Sequence, residues 1–240
     1  MLIALLSAKG SPGVTTAALA LGAVWPRPSV VVDADPFGGD VRAGIGRGGW
    51  PADSGIAELV IDLRTSTVAD SLAWRAHRPG EHAPAVLAGI ASITQAAGLP
   101  WALLGPELAG LAGLDCITDC GRFVPGVVDE LLRVCDALVL VTGSTLREVR
   151  AASRVAPAVA ERGHLAGMVV SRPGHPYGAA EIAQSCGLAL LGELADDART
   201  AAIWSEGDRP VRSLLRSEFM RGVDLIAGRL AHEPAHRWTP

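Results

Sequence analysis

The sequence predicts an α/β fold: a single domain in which a mostly parallel β-sheet is flanked by helices on both faces. Short apolar runs alternate with helical patterns along the 240 residues, which is typical of βαβ units. The first run, 2–6, leads through a glycine-rich segment into an Ala/Leu-rich stretch. With 49% apolar and 19% charged residues, the composition excludes a disordered chain and favours a sizeable core.

The strands are predicted from continuous apolar or β-branched runs, because strands buried on both faces have this pattern. The runs lie at 2–6, 29–33, 85–88, 115–119, 137–142, 165–171 and 188–191. The helical patterns between them lie at 17–24, 54–64, 102–112, 125–134, 144–161, 178–186 and 211–231. We expect a glycine-rich loop with short helical pieces at 38–49, and a helix followed by a polar loop at 65–83.

No repeat or linker divides the chain, so we expect one domain over 1–232 and a frayed tail over 233–240. The last helix carries an apolar stripe at helical spacing, formed by Leu215, Phe219, Val223, Ile226 and Leu230. Its arginines do not gather on the opposite face, as they do in a membrane-surface helix. We therefore expect this helix to pack on the domain.

Several classes of protein are disfavoured by composition and by the chain's first residues. No apolar run approaches the roughly 20 residues that span a membrane. A secretory signal has a basic segment before its apolar run, and no such segment precedes the first apolar run here. We therefore expect a cytoplasmic protein without stable membrane insertion. The four cysteines contain no CxxC pair, which disfavours zinc, and a formal net charge of −4 disfavours strong non-specific nucleic-acid binding.

The glycine-rich segment that follows the first strand has the features of a phosphate-binding loop. We call it the phosphate loop; it consists of Lys9, Gly10, Ser11, Pro12, Gly13, Val14, Thr15 and Thr16. Its glycines let successive N–H groups curl around an anion, and the helix behind it adds a positive N-terminal end. Thr15 lies where such a loop places the hydroxyl that holds Mg²⁺. Lys9 is the only lysine, against 20 arginines. A plain tight turn between strand and helix is the alternative.

The phosphate loop resembles the deviant Walker A motif of MinD/ParA-type ATPases, usually written KGGxGKTT. In that family an early lysine reaches across a dimer interface to the partner's nucleotide, and Lys9 matches it. A second lysine grips the β- and γ-phosphates, but that position here holds Val14, and Ser11 replaces a glycine. The resemblance implies ATP or ADP and Mg²⁺ as ligands, residues 10–16 as nucleotide contacts, and a homodimer.

Carboxylates at the ends of two predicted strands extend the resemblance. Asp33-Ala34-Asp35-Pro36 resembles the family's D-x-D segment, which implies that Asp35 orients the attacking water and that Asp33 lies near the Mg²⁺ shell. The run 115–121 resembles the Walker B strand, with Asp119 as the magnesium-side carboxylate and Gly121 in switch II. Carboxylates at strand ends are also common as loop or helix caps, and that alternative stays open.

Two later segments resemble those that frame the base in the family. Met168-Val169-Val170-Ser171-Arg172 matches the strand after which the family often places an adenine-contacting Asn, which is Ser171 here. Leu191-Gly192-Glu193-Leu194-Ala195-Asp196-Asp197 resembles the family's G-x-(I/L)-P-x-D stretch, with Ala195 in place of Pro. The resemblance therefore implies base contacts from Ser171, Arg172, Ala195 and Asp196.

The loop variant and the Asp-Cys-Gly-Arg that ends the Walker B strand resemble most the actinobacterial septum-site-determining and CpaE/TadZ-like branch. This implies an ATP-dependent dimerising switch that positions a division septum or a Tad-type pilus or secretion assembly, recruited to a pole, a septum or membrane-associated machinery. Loss of one charged hydrogen bond at Val14 would weaken phosphate binding by about 10- to 100-fold. Hydrolysis would suffer more, since that charge also stabilises the transition state. The sequence therefore predicts weak or absent ATP hydrolysis.

Three alternatives stay open. The first is a scaffold that kept the fold and lost the nucleotide. The second is a ParA-like chromosome-partitioning factor, which needs a basic surface; the scattered arginines allow DNA binding but do not indicate it. The third is a reductase similar to the nitrogenase iron protein, which needs a bridging cysteine; Cys120 lies near the predicted switch II.

Overall fold

A computed structural model of the protein contains one sheet of seven parallel strands with helices on both faces. The structure describes residues 1–10, 13–162, 165–174, 176–208 and 214–232. The strands are β1 (Leu2–Ser7), β2 (Ser29–Asp33), β3 (Ala85–Leu87), β4 (Asp115–Arg122), β5 (Ala137–Thr142), β6 (Ala166–Ser171) and β7 (Ala189–Leu194). Their order in the sheet is β3-β2-β4-β1-β5-β6-β7, and each adjacent pair is parallel. The predicted fold class and all predicted strands are confirmed.

The helices that connect these strands agree with the predicted pattern, with two additions. They are α1 (Val14–Val24), α2 (Ile56–Asp62), α3 (Val68–Arg75), α4 (Ile93–Ala96), α5 (Trp101–Ala109), α6 (Asp129–Leu132), α7 (Leu146–Arg162), α8 (Ala179–Cys186), α9 (Ala198–Ser205) and α10 (Glu218–His232). The sequence patterns missed α4 and α9. Helix α4 is a single capped turn, and α9 follows its N-cap residue Asp197, whose carboxylate accepts a hydrogen bond from the Thr200 N–H.

Two apolar layers separate the sheet from its helices. Along β1, Leu2, Ala4 and Leu6 face one layer, whereas Ile3 and Leu5 face the other, as the alternation of side chains along a strand requires. Helices α2, α3 and α5–α8 cover the first layer, and α1, α9 and α10 cover the second. Strands buried on both faces explain why their sequences are continuous apolar runs rather than alternating ones.

The last helix packs on the sheet, as its apolar stripe predicted. Phe219, Val223, Ile226 and Leu230 are buried in the layer that α10 shares with α1. Leu215, however, is 63% exposed, because a 3₁₀ turn over Leu214–Arg216 precedes the helix and buries Leu214 instead. The expected tail at 233–240 lies outside the described residues. No described helix has the length and apolarity that a membrane crossing needs.

Asp115 ties the start of β4 to the end of α1 at the edge of the sheet opposite the phosphate loop. Its carboxylate accepts hydrogen bonds from the Met1 ammonium at 2.8 Å, the Trp25 indole N–H at 2.8 Å and Arg27 Nε at 2.7 Å. Burial raises the pKa of Asp115, but these three donors lower it by more, so the net pKa lies below the usual range. The ionised carboxylate therefore contributes to stability.

Replacing Asp115 with Ala is expected to lower the free energy of unfolding by about 2 to 4 kcal/mol near neutral pH, because the buried Trp25 N–H loses its acceptor. Since the folded pKa is depressed, the contribution is present above the ordinary value of 3.8 and is lost as the pH falls through the folded pKa. Urea denaturation at pH 7 and at pH 3 measures both effects. Asp224→Ala, at an exposed position of α10, is the control, and an equal loss in both variants would contradict the assignment.

Candidate functional site

The phosphate loop joins the end of β1 to the start of α1. Gly13 has a φ of 88°, in the left-handed region that favours glycine, and its carbonyl accepts the first helical hydrogen bond from the Ala17 N–H at 2.8 Å. Helix α1 has neither a capping side chain nor an acidic residue in its first turn among the described residues. Its first N–H groups are therefore available to an anion. Ser11 and Pro12 lie outside the described residues.

A cavity of about 450 Å³ opens in front of this helix end. We call it the phosphate cavity; it is lined by Ser7, Gly10, Gly13, Val14, Thr15, Thr16, Asp35, Phe37, Gly121 and Arg122. Three parallel strands, β1, β2 and β4, end around it, so the segments that follow them converge at one edge of the sheet. The structure thus brings five of the predicted loop residues together with Asp35 and Gly121; they are Gly10, Gly13, Val14, Thr15 and Thr16. Ser7, Phe37 and Arg122 are lining residues that were not predicted.

Asp119 lies behind the phosphate cavity and is 1% exposed. Its Oδ1 accepts a hydrogen bond from the Gly121 N–H at 2.9 Å, whereas Oδ2 has no hydrogen-bond partner among the described residues. Burial raises the pKa of Asp119 to about 6, although the Thr15 hydroxyl and the Gly121 N–H lower it. A buried carboxylate oxygen without a partner, next to a threonine hydroxyl, fits a hard cation such as Mg²⁺.

The described residues contain no group of three or more His, Cys, Asp or Glu side chains that could hold a metal ion alone. Mg²⁺ commonly takes one or two protein oxygens and completes its shell with water and phosphate oxygens. Thr15 and Asp119 therefore suit a Mg²⁺ ion that arrives with a nucleotide better than a permanently bound metal.

Asp33, like Asp119, is buried, does not line the phosphate cavity and has an Oδ2 without a partner among the described residues. It differs in its neighbours: its Oδ1 accepts the Asp35 N–H at 3.2 Å, and Gly39 and Gly89 pack on its carboxylate. Burial and the neighbouring Asp119 raise the pKa of Asp33 well above its usual value. In this position Asp33 shapes the backbone that carries Asp35, and its role near Mg²⁺ stays a prediction.

Asp35 connects the segments that follow β2 and β4. Its Oδ1 accepts the Phe37 N–H at 2.8 Å, and its carboxylate rests against Gly121, where any Cβ would overlap Asp35 Oδ2. Gly121 also has a φ of 56°, so glycine is required there both for conformation and for space. The segment that follows β2 and the segment that follows β4 are therefore in direct contact, so displacement of one would displace the other.

Lys9 lies on the surface beside the phosphate cavity. It is exposed and lines a second cavity of about 450 Å³ together with Gly10, Ser144, Thr145, Arg147, Glu148 and Arg172. In this second cavity Glu148 forms an ion pair with Arg172 at 3.3 Å. The position leaves the Lys9 ammonium accessible from outside the protein.

Val14 brings no charge to the phosphate cavity. Its side chain is 6% exposed and packs in the apolar layer that contains Ile3 and Leu5, while part of it forms the cavity wall. The N-terminal end of α1 is thus fixed by packing, and the cation expected from the family motif is missing at this position.

The residues predicted to frame a base lie at the ends of β6 and β7. Ser171 is buried, and its Oγ is 4.0 Å from the place that a Cβ on Gly13 would take. Arg172, with a φ of 53°, donates its N–H to the Leu194 carbonyl at 2.7 Å. Ala195 and the exposed Asp196 follow directly. Ser171 therefore lies beside the phosphate loop, and contact of all four residues with a base stays a prediction.

Among the solved structures that share this fold, three illustrate the likeness. The cell division ATPase MinD of Pyrococcus furiosus has a TM-score of 0.74 at 17% identity, covering 95% of this chain and 97% of that one. A ParA family ATPase from Chlorobium tepidum has a TM-score of 0.73 at 16% identity, covering 94% and 98%. The septum site-determining protein MinD of Pyrococcus horikoshii, complexed with Mg-ADP, has a TM-score of 0.68 at 18% identity, covering 96% and 95%.

At these identities the likeness establishes that the chain has the fold of MinD/ParA-type ATPases over nearly its full length. No family model matches the chain, and no curated protein sequence matches it significantly.

Replacing Asp119 with Asn is expected to stabilise the nucleotide-free protein at pH 8 by about 1 to 3 kcal/mol. Burial raises the pKa of Asp119 from 3.8 to about 6. Between these two pH values the native state holds a proton that the unfolded chain has released, and at pH 8 the carboxylate is ionised in both states. Wild-type stability therefore falls as the pH rises between these two values, and the gain of the variant vanishes near pH 4. Urea denaturation at both pH values measures it.

Asp224→Asn, which changes an exposed carboxylate, is the control and is expected to have no such pH dependence. An Asp119→Asn variant that is less stable than wild type at pH 8 would contradict the prediction, since the ionised carboxylate would then be stabilising.

Proposed function

We propose that the protein is a nucleotide-dependent switch of the MinD/ParA type that binds ATP or ADP with Mg²⁺, dimerises with ATP and positions a cellular assembly. One observation carries the proposal: the uncapped end of α1 and the Thr15 hydroxyl line one cavity, and the buried Asp119, whose Oδ2 has no partner among the described residues, is hydrogen-bonded to Gly121 in the wall of that cavity. The fold shared with MinD and ParA proteins supports it, as does the Mg-ADP in one of those proteins.

The residues of the phosphate cavity divide the work of binding. The N–H groups of the phosphate loop and of the first turn of α1 hold the phosphates, and Thr15 and Asp119 hold Mg²⁺. When bound, Mg²⁺ neutralises phosphate charge. Asp35 faces the same cavity, where its carboxylate orients water and, through Gly121, transmits the state of the phosphates to the segment after β4.

The buried, uncharged Val14 makes this switch slow in turnover. The end of α1 and Lys9 of a facing copy still attract the phosphates, so binding survives the loss of one charged hydrogen bond. Hydrolysis depends more strongly on charge placed at the transferred group. A slow switch holds its ATP-bound form for longer, which suits a protein that marks a location.

Lys9 supplies the link to a second subunit. The lysine is exposed beside the phosphate cavity rather than within it, so it can reach the nucleotide of a facing copy. The assembly positioned is a division septum or a Tad-type pilus or secretion machinery, as in the septum-site-determining and CpaE/TadZ-like branch that the loop resembles. Recruitment to a pole, a septum or membrane-associated machinery then follows from dimerisation in the cytoplasm.

A nucleotide-independent scaffold is the second candidate, and the packing of Val14 in the apolar core favours it. In that case the phosphate cavity would be a remnant, and assembly would not depend on nucleotide.

Calorimetry is expected to detect binding of MgATP to the full chain, and analytical ultracentrifugation is expected to detect an ATP-dependent dimer. Helix-end amides and Mg²⁺ ligands suffice for an affinity in the micromolar to millimolar range, about −8 to −4 kcal/mol. Lys9→Ala is expected to lose the dimer, because the exposed ammonium no longer reaches the partner's nucleotide.

Arg154→Ala, at an exposed position of α7, is the matched control for loss of one cation. Absence of binding heat at MgATP concentrations up to the millimolar range would contradict the proposal. A dimer that forms without nucleotide and persists in Lys9→Ala and Asp119→Ala would instead establish the scaffold.

Val14→Lys is expected to raise the affinity for MgATP by about 10- to 100-fold and to increase the rate of ATP hydrolysis by more than that. The lysine stem can follow the cavity wall while the ammonium reaches the phosphates. Phosphate release at saturating ATP and calorimetry measure the two effects. Val24→Lys, at the other end of α1, adds the same charge away from the cavity and is the control. If wild type already hydrolyses ATP as fast as Val14→Lys, Val14 does not limit turnover.

A further inference from the structure

We propose that Arg122 binds the terminal phosphate of ATP in the phosphate cavity and supplies the cation that Val14 lacks. The inference rests on the proposed function, because it assigns a residue to the same cavity. Among the described residues that line this cavity, Arg122 is the cationic one; Lys9 lines the neighbouring cavity.

The position of Arg122 results from an irregularity in the sheet. Strand β1 pairs with β4 in regular register up to Leu5 and Asp119, but the next pair is Ser7 and Arg122. Two residues of β4, Cys120 and Gly121, thus oppose one residue of β1. Such a bulge shifts the alternation of side chains by one residue.

The packing on either side of the bulge agrees with this shift. Cys116 and Cys120 belong to the apolar layer that α5–α8 cover, so Arg122 would face that layer if alternation continued. Instead Phe123 belongs to that layer, and Arg122 lines the phosphate cavity on the other face, with α1. The bulge therefore turns an arginine toward the phosphate loop that a regular strand would have turned away.

The Arg122 guanidinium is not engaged elsewhere. Arg75 pairs with Asp62, and Arg162 pairs with Asp129, whereas the Arg122 guanidinium has no hydrogen bond or ion pair with the residues that the structure describes. Asp35 shares the cavity, but its Oδ1 accepts the Phe37 N–H and its Oδ2 rests against Gly121. An exposed, unpaired guanidinium beside uncapped helix amides is suited to a phosphate, which it can bind with two parallel hydrogen bonds.

The neighbours of Arg122 indicate which phosphate it reaches. It follows Gly121, which packs on Asp35, the carboxylate that orients water at the terminal phosphate in the proposed function. Helix α1 and Thr15 line the same cavity. Arg122 is therefore assigned to the phosphate that ATP has and ADP lacks.

Calorimetry of the full chain with MgATP and with MgADP tests the inference. Arg122→Ala is expected to weaken MgATP binding by about 10- to 100-fold and MgADP binding much less. Arg122→Lys is expected to recover part of the loss, because it keeps the charge but not the planar fork. Thermal unfolding of each variant checks that the fold is kept, and Arg154→Ala is the matched control.

The outcomes separate this inference from the proposed function. If wild type does not bind MgATP, the proposed function fails. If wild type binds MgATP and Arg122→Ala binds it equally well, only the role of Arg122 fails. Equal losses for MgATP and MgADP would also overturn the assignment to the terminal phosphate, whereas a loss confined to MgATP supports it.

Discussion

Where β4 passes the end of β1, it carries one residue more than its partner, and the candidate site depends on that bulge. Gly121 takes a positive φ there, donates its N–H to Asp119 and leaves room for the Asp35 carboxylate. The same displacement brings Arg122 to the phosphate cavity. A side chain at residue 121 would therefore disturb Asp119, Asp35 and Arg122 together.

Most strands could be predicted because parallel strands buried on both faces are continuous apolar runs, and β1, β2, β5 and β6 have this pattern. The loop residues Gly13 and Thr15 and the carboxylate of Asp35 could be placed at one edge of the sheet, since that is where parallel strands end together. The location of Leu215 could not, because a 3₁₀ turn changes the helical phase. The bulge could not be predicted either, because Cys120 and Gly121 continue the strand pattern in the sequence. The location of Arg122 at the phosphate cavity was therefore not predicted.

Val14 joins stability and chemistry at one position. It is the first residue of α1 and packs in the same layer as Leu5, so an apolar side chain there anchors the helix end that faces the phosphate cavity. A lysine at this position would exchange part of that packing for a charge. Because Arg122 lines the same cavity, the cavity has a cationic residue while Val14 keeps its packing.

The buried carboxylates bear on whether the phosphate cavity is a binding site or a remnant. Asp33 and Asp119 are paired across β2 and β4, both are buried with an unpartnered oxygen, and burial raises the pKa of each. Two such groups side by side destabilise the nucleotide-free fold, because each disfavours ionisation of the other. A scaffold without a ligand gains nothing from this destabilisation, whereas a bound Mg²⁺ would offset it at Asp119. The buried carboxylates that destabilise the nucleotide-free fold would thus couple nucleotide binding to the ordering of the segments that follow β2 and β4.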